Sequence, residues 1–177
     1  DVNSANIVFK NEQNTSYSSS LQVEFDIEIV PRLSLRLAYK NLLNRARYNG
    51  IEQQQVMVPT HRFLTTLSYT SRNKRWEFAS SLSVYGAMRL PNFTLNNVLY
   101  TNEKSTAYPI INAQVTHIYK KWEFYVGVEN LTNFKQINPI IDPANPFGSD
   151  FDATRIWGPV MGINAYGGVR YTIKTKK

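Results

Sequence analysis

Apolar and polar residues alternate along much of this chain, and no other feature constrains its fold more. In LQVEFDIEI (residues 21–29) every odd position is apolar and every even position is polar or charged. The alternation resumes in LSLRLAYK (33–40), after Pro31 and Arg32. Successive side chains of a β-strand point to opposite faces, so both stretches are predicted to be strands with one apolar face. The proline between them indicates a turn.

Five further strands are predicted, at residues 63–69, 76–84, 111–119, 122–128 and 162–174. If Arg72 and Asn73 form a tight turn, Tyr69 faces Trp76 across the hairpin; Tyr119 faces Trp122 in the same way. The connections between hairpins are long, about 41–60, 86–108 and 131–161. Alternating short and long connections predict an all-β fold, an antiparallel up-and-down barrel whose two ends meet different surroundings.

Alternation alone leaves open which face of the sheet is enclosed. A transmembrane barrel turns its apolar face to lipid, whereas a soluble lipocalin-like barrel encloses an apolar interior that can hold a ligand. The mean hydropathy of −0.36 and the lack of a long apolar run exclude a transmembrane helix but not a membrane barrel. The small and charged polar face suits a water-filled or plug-filled lumen, and it would also suit bulk solvent. The candidate lumen-facing residues are Glu24, Arg36, Gln114, Glu123 and Arg170.

Aromatic residues are predicted at the ends of strands that the short turns join, with cations just beyond them in the sequence. Such a belt is typical of the boundary between hydrocarbon and head groups. Outer-membrane lipid and lipopolysaccharide are therefore expected partners. The candidate interface aromatics are Tyr69, Trp76, Tyr119, Trp122 and Tyr171.

Seven strands are an odd number, while single-chain bacterial barrels have an even number. Two solutions remain open. Residues 5–10 (ANIVFK) could add an eighth strand and close a small, free-standing barrel, or the seven could be the last strands of a larger one.

The sequence offers no pattern for catalysis, so the chain is not expected to be an enzyme or to hold a cofactor or metal. It has no cysteine, its two histidines are isolated, and it has no phosphate-binding loop. The net charge of +7 is scattered, which disfavours nucleic-acid binding. Glu24, Asp26 and Glu28 form an acidic line, which is expected to pair with Arg36 and Lys40 across the hairpin rather than to act as acids or bases.

Two polar details of the last third of the chain also lead to expectations. Asp150 and Asp152 could meet a calcium ion, but two carboxylates fall short of the six to eight oxygens that calcium needs, which favours hydrogen bonds within the loop. Asn130, in ENLTN, is expected to cap the change from strand to loop.

The last third of the chain also resembles a known family. The segments that carry this are YVGVENLTNFKQ (125–136), NPIIDPANPFGSDFDATRIWGPVMG (138–162) and the closing INAYGGVRYTI (163–173). They resemble the C-terminal end of TonB-dependent outer-membrane receptors, particularly those of Bacteroidota. In that family a strand ending in Gly-x-Glu-Asn-Leu-Thr-Asn precedes the last external loop, which carries an FD-x-x-x-x-WGP-like segment.

The resemblance implies that residues 1–177 are a partial barrel, the last seven or eight of 22 strands, with residues 131–161 as a long external loop. It implies a wall segment of a receptor in the outer membrane of a Gram-negative bacterium that imports a large, scarce nutrient. The expected partners are the receptor's own N-terminal strands and plug, TonB acting through the plug, and a surface lipoprotein. The basic end KTKK departs from the aromatic ending of many outer-membrane proteins.

Overall fold

The computed structural model describes residues 15–48 and 51–173, whose regular secondary structure consists of β-strands. Residues 5–10, predicted as an eighth strand, lie outside that part. No helix within it is long and apolar enough to cross a membrane. The strands are β1 (Tyr17–Val30), β2 (Leu33–Tyr48), β3 (Ile51–Gln54), β4 (His61–Thr70), β5 (Trp76–Tyr85), β6 (Phe93–Leu95), β7 (Val98–Tyr100), β8 (Tyr108–Tyr119), β9 (Trp122–Glu129) and β10 (Asn164–Tyr171).

Seven of these strands form one antiparallel sheet in the order β1, β2, β4, β5, β8, β9, β10. Each is bonded to the next one along this path, so the predicted all-β, up-and-down fold is confirmed. Strand β3 continues the sheet beside the far end of β2, and β6 and β7 form a separate hairpin. Within the described residues, β1 and β10 are the two edges and do not pair with each other.

The cross-strand register aligns the alternating residues into one apolar and one polar face. A row that is apolar except at Ser80 crosses all seven strands through Ile27, Leu35, Leu67, Ser80, Ala113, Val128 and Ala165. The neighbouring row on the other face runs through Glu28, Ser34, Ser68, Ala79, Gln114, Gly127 and Tyr166. Because side chains alternate along every strand, the remaining rows keep this division with a few exceptions, such as Thr65 on the apolar face and Leu64 and Ile118 on the polar face.

The apolar face is not packed into an interior. Phe25 and Val126 are both 60% exposed and Val169 is 56% exposed, although they lie on different strands. The apolar side chains that are buried in the described residues are Met88, Leu90, Phe93 and Tyr108. They lie in or beside the long connection between β5 and β8, so the packed core sits at one end of the sheet and not on its apolar face.

The structure corrects one predicted pairing. Tyr69 lies opposite Phe78, and Trp76 lies opposite His117 on the next strand. The turn is longer than two residues, because the amide of Ser71 donates to the carbonyl of Trp76 and the amide of Lys74 donates back to Ser71. The register therefore shifts by two residues, which leaves Tyr69 and Trp76 on the apolar face as predicted. The predicted pair Tyr119 and Trp122 is confirmed.

The long connections are more ordered than the sequence indicated. Residues predicted to leave the sheet after position 40 continue β2 to Tyr48 and return as β3. The connection after β5 contains the β6–β7 hairpin, and the connection after β9 contains a single bridge between Ile141 and Asp152.

Candidate functional site

All five candidate lumen residues lie on the polar face. Arg36 pairs with Asp26 directly across the β1–β2 hairpin, with Nε 2.7 Å from Oδ1. Arg170 likewise pairs with Glu123 across β10 and β9, at 2.9 Å between Nη1 and Oε2. The expected charge pairing of the acidic line on β1 is therefore confirmed for Asp26.

Gln114 is held by a tyrosine that reaches over an intervening strand. The Tyr166 hydroxyl on β10 donates to Gln114 Oε1 on β8 at 2.9 Å and passes over Gly127 on β9. A Cβ at Gly127 would lie 2.4 Å from the Tyr166 ring. Tyr125 makes the reciprocal contact, because a Cβ at Gly168 would lie 2.3 Å from its hydroxyl oxygen. The two Tyr–Gly contacts fasten β10 to the sheet.

The five interface aromatics lie on the apolar face where the strands meet the short turns. The rings of Trp122 and Tyr171 are 4.6 Å apart, and Trp76 packs against His117 at 4.4 Å. His117, one of the two histidines that are isolated in the sequence, is thus the cross-strand partner of Trp76. All five aromatics are between 39% and 49% exposed.

At the opposite end of the sheet, the long connections pack together around a small core. Met88, Leu90 and Tyr108 form its centre, and five partly buried residues pack against it: Met57, Tyr85, Ile110, Phe134 and Trp157. Hydrogen bonds reinforce this packing, since the amide of Met57 donates to the carbonyl of Arg89 at 2.8 Å. The connections thus form one compact layer.

A cleft of about 810 Å³, here called the loop-end cleft, opens between the connection that follows β5 and the one that follows β9. Its lining is mainly apolar and includes Leu90, Phe134 and Ile140. Charged side chains of both signs also line it, namely Glu103, Lys104, Lys135, Asp142 and Arg155. An apolar cleft with a few polar groups is the usual form of a small-molecule site, so this is the candidate binding site.

Arg155 joins the two walls of this cleft. Its guanidinium pairs with Glu103 at 2.5 Å and lies over the Phe93 ring at 4.1 Å. The Arg155 side chain is only 10% exposed, whereas that of Glu103 is 42% exposed. A nearly buried arginine depends on such partners, so Arg155 fixes the distance between the two connections.

The last connection is held by two buried amide side chains. Gln136 Oε1 accepts from the amides of Trp157 and Gly158, and its Nε2 donates to the Arg155 carbonyl. Asn130 donates to the carbonyls of Phe134 and Met161. The predicted cap at Asn130 is therefore confirmed, while Gln136, Phe93 and Arg155 were not singled out by sequence reasoning.

The two aspartates considered for calcium make hydrogen bonds with the backbone. Asp150 Oδ2 accepts from the Asn96 amide in the β6–β7 hairpin at 2.9 Å, and Asp152 Oδ1 accepts from the Thr154 amide at 2.7 Å. In residues 15–48 and 51–173, no three acidic, histidine or cysteine side chains are grouped to hold a metal ion.

This chain shares its arrangement of strands with a protein of known structure. It is similar in fold to a receptor. The likeness is to a point mutant of the ferric enterobactin receptor of Pseudomonas aeruginosa, with a TM-score of 0.58 and 12% sequence identity. It covers 87% of this chain and 22% of the receptor chain. No protein-family model matches the sequence, and no curated protein matches it either.

At this identity the comparison with the ferric enterobactin receptor establishes the fold alone. The sheet of this chain corresponds to about a fifth of that receptor's chain, which agrees with a sheet that stays open between β1 and β10 in the described residues. The present chain is therefore similar in fold to one part of that receptor.

Proposed function

We propose that this chain is part of the barrel wall of a TonB-dependent outer-membrane receptor that takes up a large, scarce nutrient. The observation that carries this proposal is the continuous apolar face, which spans seven strands and leaves side chains such as Phe25 and Val126 exposed. A soluble protein seldom leaves so large an apolar surface uncovered. Lipid covers such a surface without the need for a protein partner.

The open edges and the likeness to part of a receptor support a segment of a larger barrel over a free-standing small one. Unpaired strand edges are not tolerated in hydrocarbon, because their amide and carbonyl groups would lack partners. The strands that precede this chain in the receptor would pair with β1, and the first strand of the barrel would pair with β10. The polar face, with Arg36 and Arg170 in ion pairs, would then line the lumen and meet the plug.

The cleft at the end of the long connections would lie on the outer side of the membrane. Short turns of bacterial barrels face the periplasm and long loops face outward, so the 131–161 connection would be external. In this proposal the walls joined by Arg155 contribute to substrate binding, and the chain itself carries no catalytic residue. TonB would act through the plug, and a surface lipoprotein could dock on the external side.

An arginine scan of two adjacent positions tests the orientation. Leu35→Arg places a cation on the apolar face, and Ser34→Arg places the same cation one residue away, opposite Glu28. A cation facing lipid costs about 2–4 kcal/mol at mid-membrane and less toward the interface, so Leu35→Arg, two residues inside the Leu33–Tyr69 pair, should reduce the amount of folded receptor in the outer membrane. Ser34→Arg should assemble normally. Normal assembly of Leu35→Arg, or an equal defect in both variants, would refute the proposal.

A further inference from the structure

The three short turns of the sheet carry an unusual charge. They comprise residues 31–32, 71–75 and 120–121, nine residues in all, of which none is acidic. Six of the nine are cations, and all six are exposed. The cations are Arg32, Arg72, Lys74, Arg75, Lys120 and Lys121.

Backbone hydrogen bonds hold these turns side by side. The amide of Thr70 donates to the carbonyl of Arg32, and the amide of Ile118 donates to that of Arg75. In the same way, the amide of Thr172 donates to the carbonyl of Lys121. Each turn is thus bonded to the strand next to it. The six cations form one row along the end of the sheet where the short turns lie, here called the cationic row.

The cations of this row are not neutralised by acidic side chains of the described residues. The ion pairs found there join Arg36 to Asp26, Arg45 to Glu52, Arg155 to Glu103 and Arg170 to Glu123. None of them includes a cation of the row. Near the long connections, Arg45 and Arg155 are each paired with a glutamate, whereas the six cations at the short turns remain available to an anionic partner.

The position of the row identifies the partner. It lies directly beyond the aromatic residues of the apolar face, and Lys120 Nζ is 5.2 Å from the centre of the Tyr119 ring. In a bilayer, the layer next to such an aromatic belt contains the phospholipid head groups. Anionic head groups attract exposed lysine and arginine within a Debye length of the surface.

We propose that the cationic row binds anionic phospholipid head groups in the leaflet that the short turns face, and that it selects them over zwitterionic ones. This rests on the proposed membrane location. It adds a lipid-binding surface that is separate from the loop-end cleft and from the polar face.

The test compares the intact protein with the double variant Arg75→Gln/Lys121→Gln in two bilayers, phosphatidylcholine alone and phosphatidylcholine mixed with phosphatidylglycerol. Both substitutions avoid Lys74 and Lys120, whose backbones have positive φ. Spin-labelled lipids report the relative association constant of phosphatidylglycerol over phosphatidylcholine at the protein surface. The preference should fall by about fivefold for each cation removed at low salt. The matched control, Arg47→Gln/Lys104→Gln, removes two cations near the long connections and should retain the preference.

The outcomes separate this inference from the proposed function. The inference is supported if the protein resists alkaline extraction from both bilayers and if only Arg75→Gln/Lys121→Gln loses the preference for phosphatidylglycerol. Insertion into both bilayers without any preference, or an equal loss in the control variant, overturns the inference alone. A wild-type protein that enters neither bilayer overturns the membrane proposal and the inference with it.

Discussion

Tyr166 lies across Gly127, and its hydroxyl donates to Gln114 on the strand beyond. The contact requires a residue without a side chain at position 127, because any Cβ there would overlap the ring. Tyr125 and Gly168 repeat the arrangement in the opposite direction between the same two strands. An aromatic ring that covers a glycine on the neighbouring strand fixes strand register, so the two contacts secure the last strand.

Gly127→Ala should therefore loosen β10. The methyl group would displace the Tyr166 ring and break its hydrogen bond, and we expect a loss of about 1–3 kcal/mol in the free energy of unfolding. Urea unfolding of the protein in lipid vesicles measures this loss. Gly167→Ala is the matched control, since its nearest neighbour would be the Tyr125 carbonyl oxygen at 3.3 Å. Equal stability of both variants would argue against the Tyr–Gly contact.

Asn130 provides a second test, at the point where β9 enters the last connection. Its side chain bonds Phe134 and Met161, and its φ of 53° is unfavourable for most other residues. Asn130→Ala removes the side-chain hydrogen bonds and leaves alanine at an unfavourable positive φ, so it should lower the free energy of unfolding by about 3 kcal/mol. Asn130→Gly also loses the hydrogen bonds but accepts the positive φ, so the loss should be smaller. Hydrogen exchange of residues 131–136 should accelerate in both variants. Unchanged exchange would mean that the cap does not hold this connection.

The β2–β3 hairpin should respond to acid. Hydrogen bonds from Arg45 and from Tyr17 lower the pKa of Glu52 from its ordinary value of 4.5. Because the folded pKa is depressed, this stabilisation is present above pH 4.5 and is lost as the pH falls through the folded value. Amide exchange of residues 45–48 and 51–54, corrected for intrinsic rates, should therefore increase below about pH 4.5. Glu52→Gln should remove the pH dependence of this exchange. If exchange still increased in acid in Glu52→Gln, Glu52 would not be its cause.

The sequence predicted the sheet well because alternation depends only on neighbours along one strand. Parity alone placed Arg36, Glu123 and Trp122 on their correct faces. The prediction that Tyr69 faces Trp76 failed because the turn is longer than two residues and is closed by hydrogen bonds between Ser71 and Trp76, which the alternation along a strand does not report.

The loop-end cleft depends on contacts between residues far apart in the chain, which periodicity does not report. Arg155 and Glu103 are separated by 52 positions, and neither belongs to a repeating pattern. The Tyr–Gly contacts did have a local signal, because Tyr125 and Gly127, like Tyr166 and Gly168, are two residues apart and so share a face. That spacing in adjacent strands predicts the reciprocal contact.

The central claim is that the apolar face looks toward lipid, and spin labels along β9 measure it most directly. The chain has no cysteine of its own, so single cysteines at positions 122–129 can be labelled specifically within it. Oxygen, which concentrates in hydrocarbon, should relax the labels at Phe124, Val126 and Val128 most strongly, whereas a water-soluble nickel chelate should reach those at Glu123 and Tyr125. Labels at Val126 shielded from both reagents, or the absence of a two-residue period, would contradict the account.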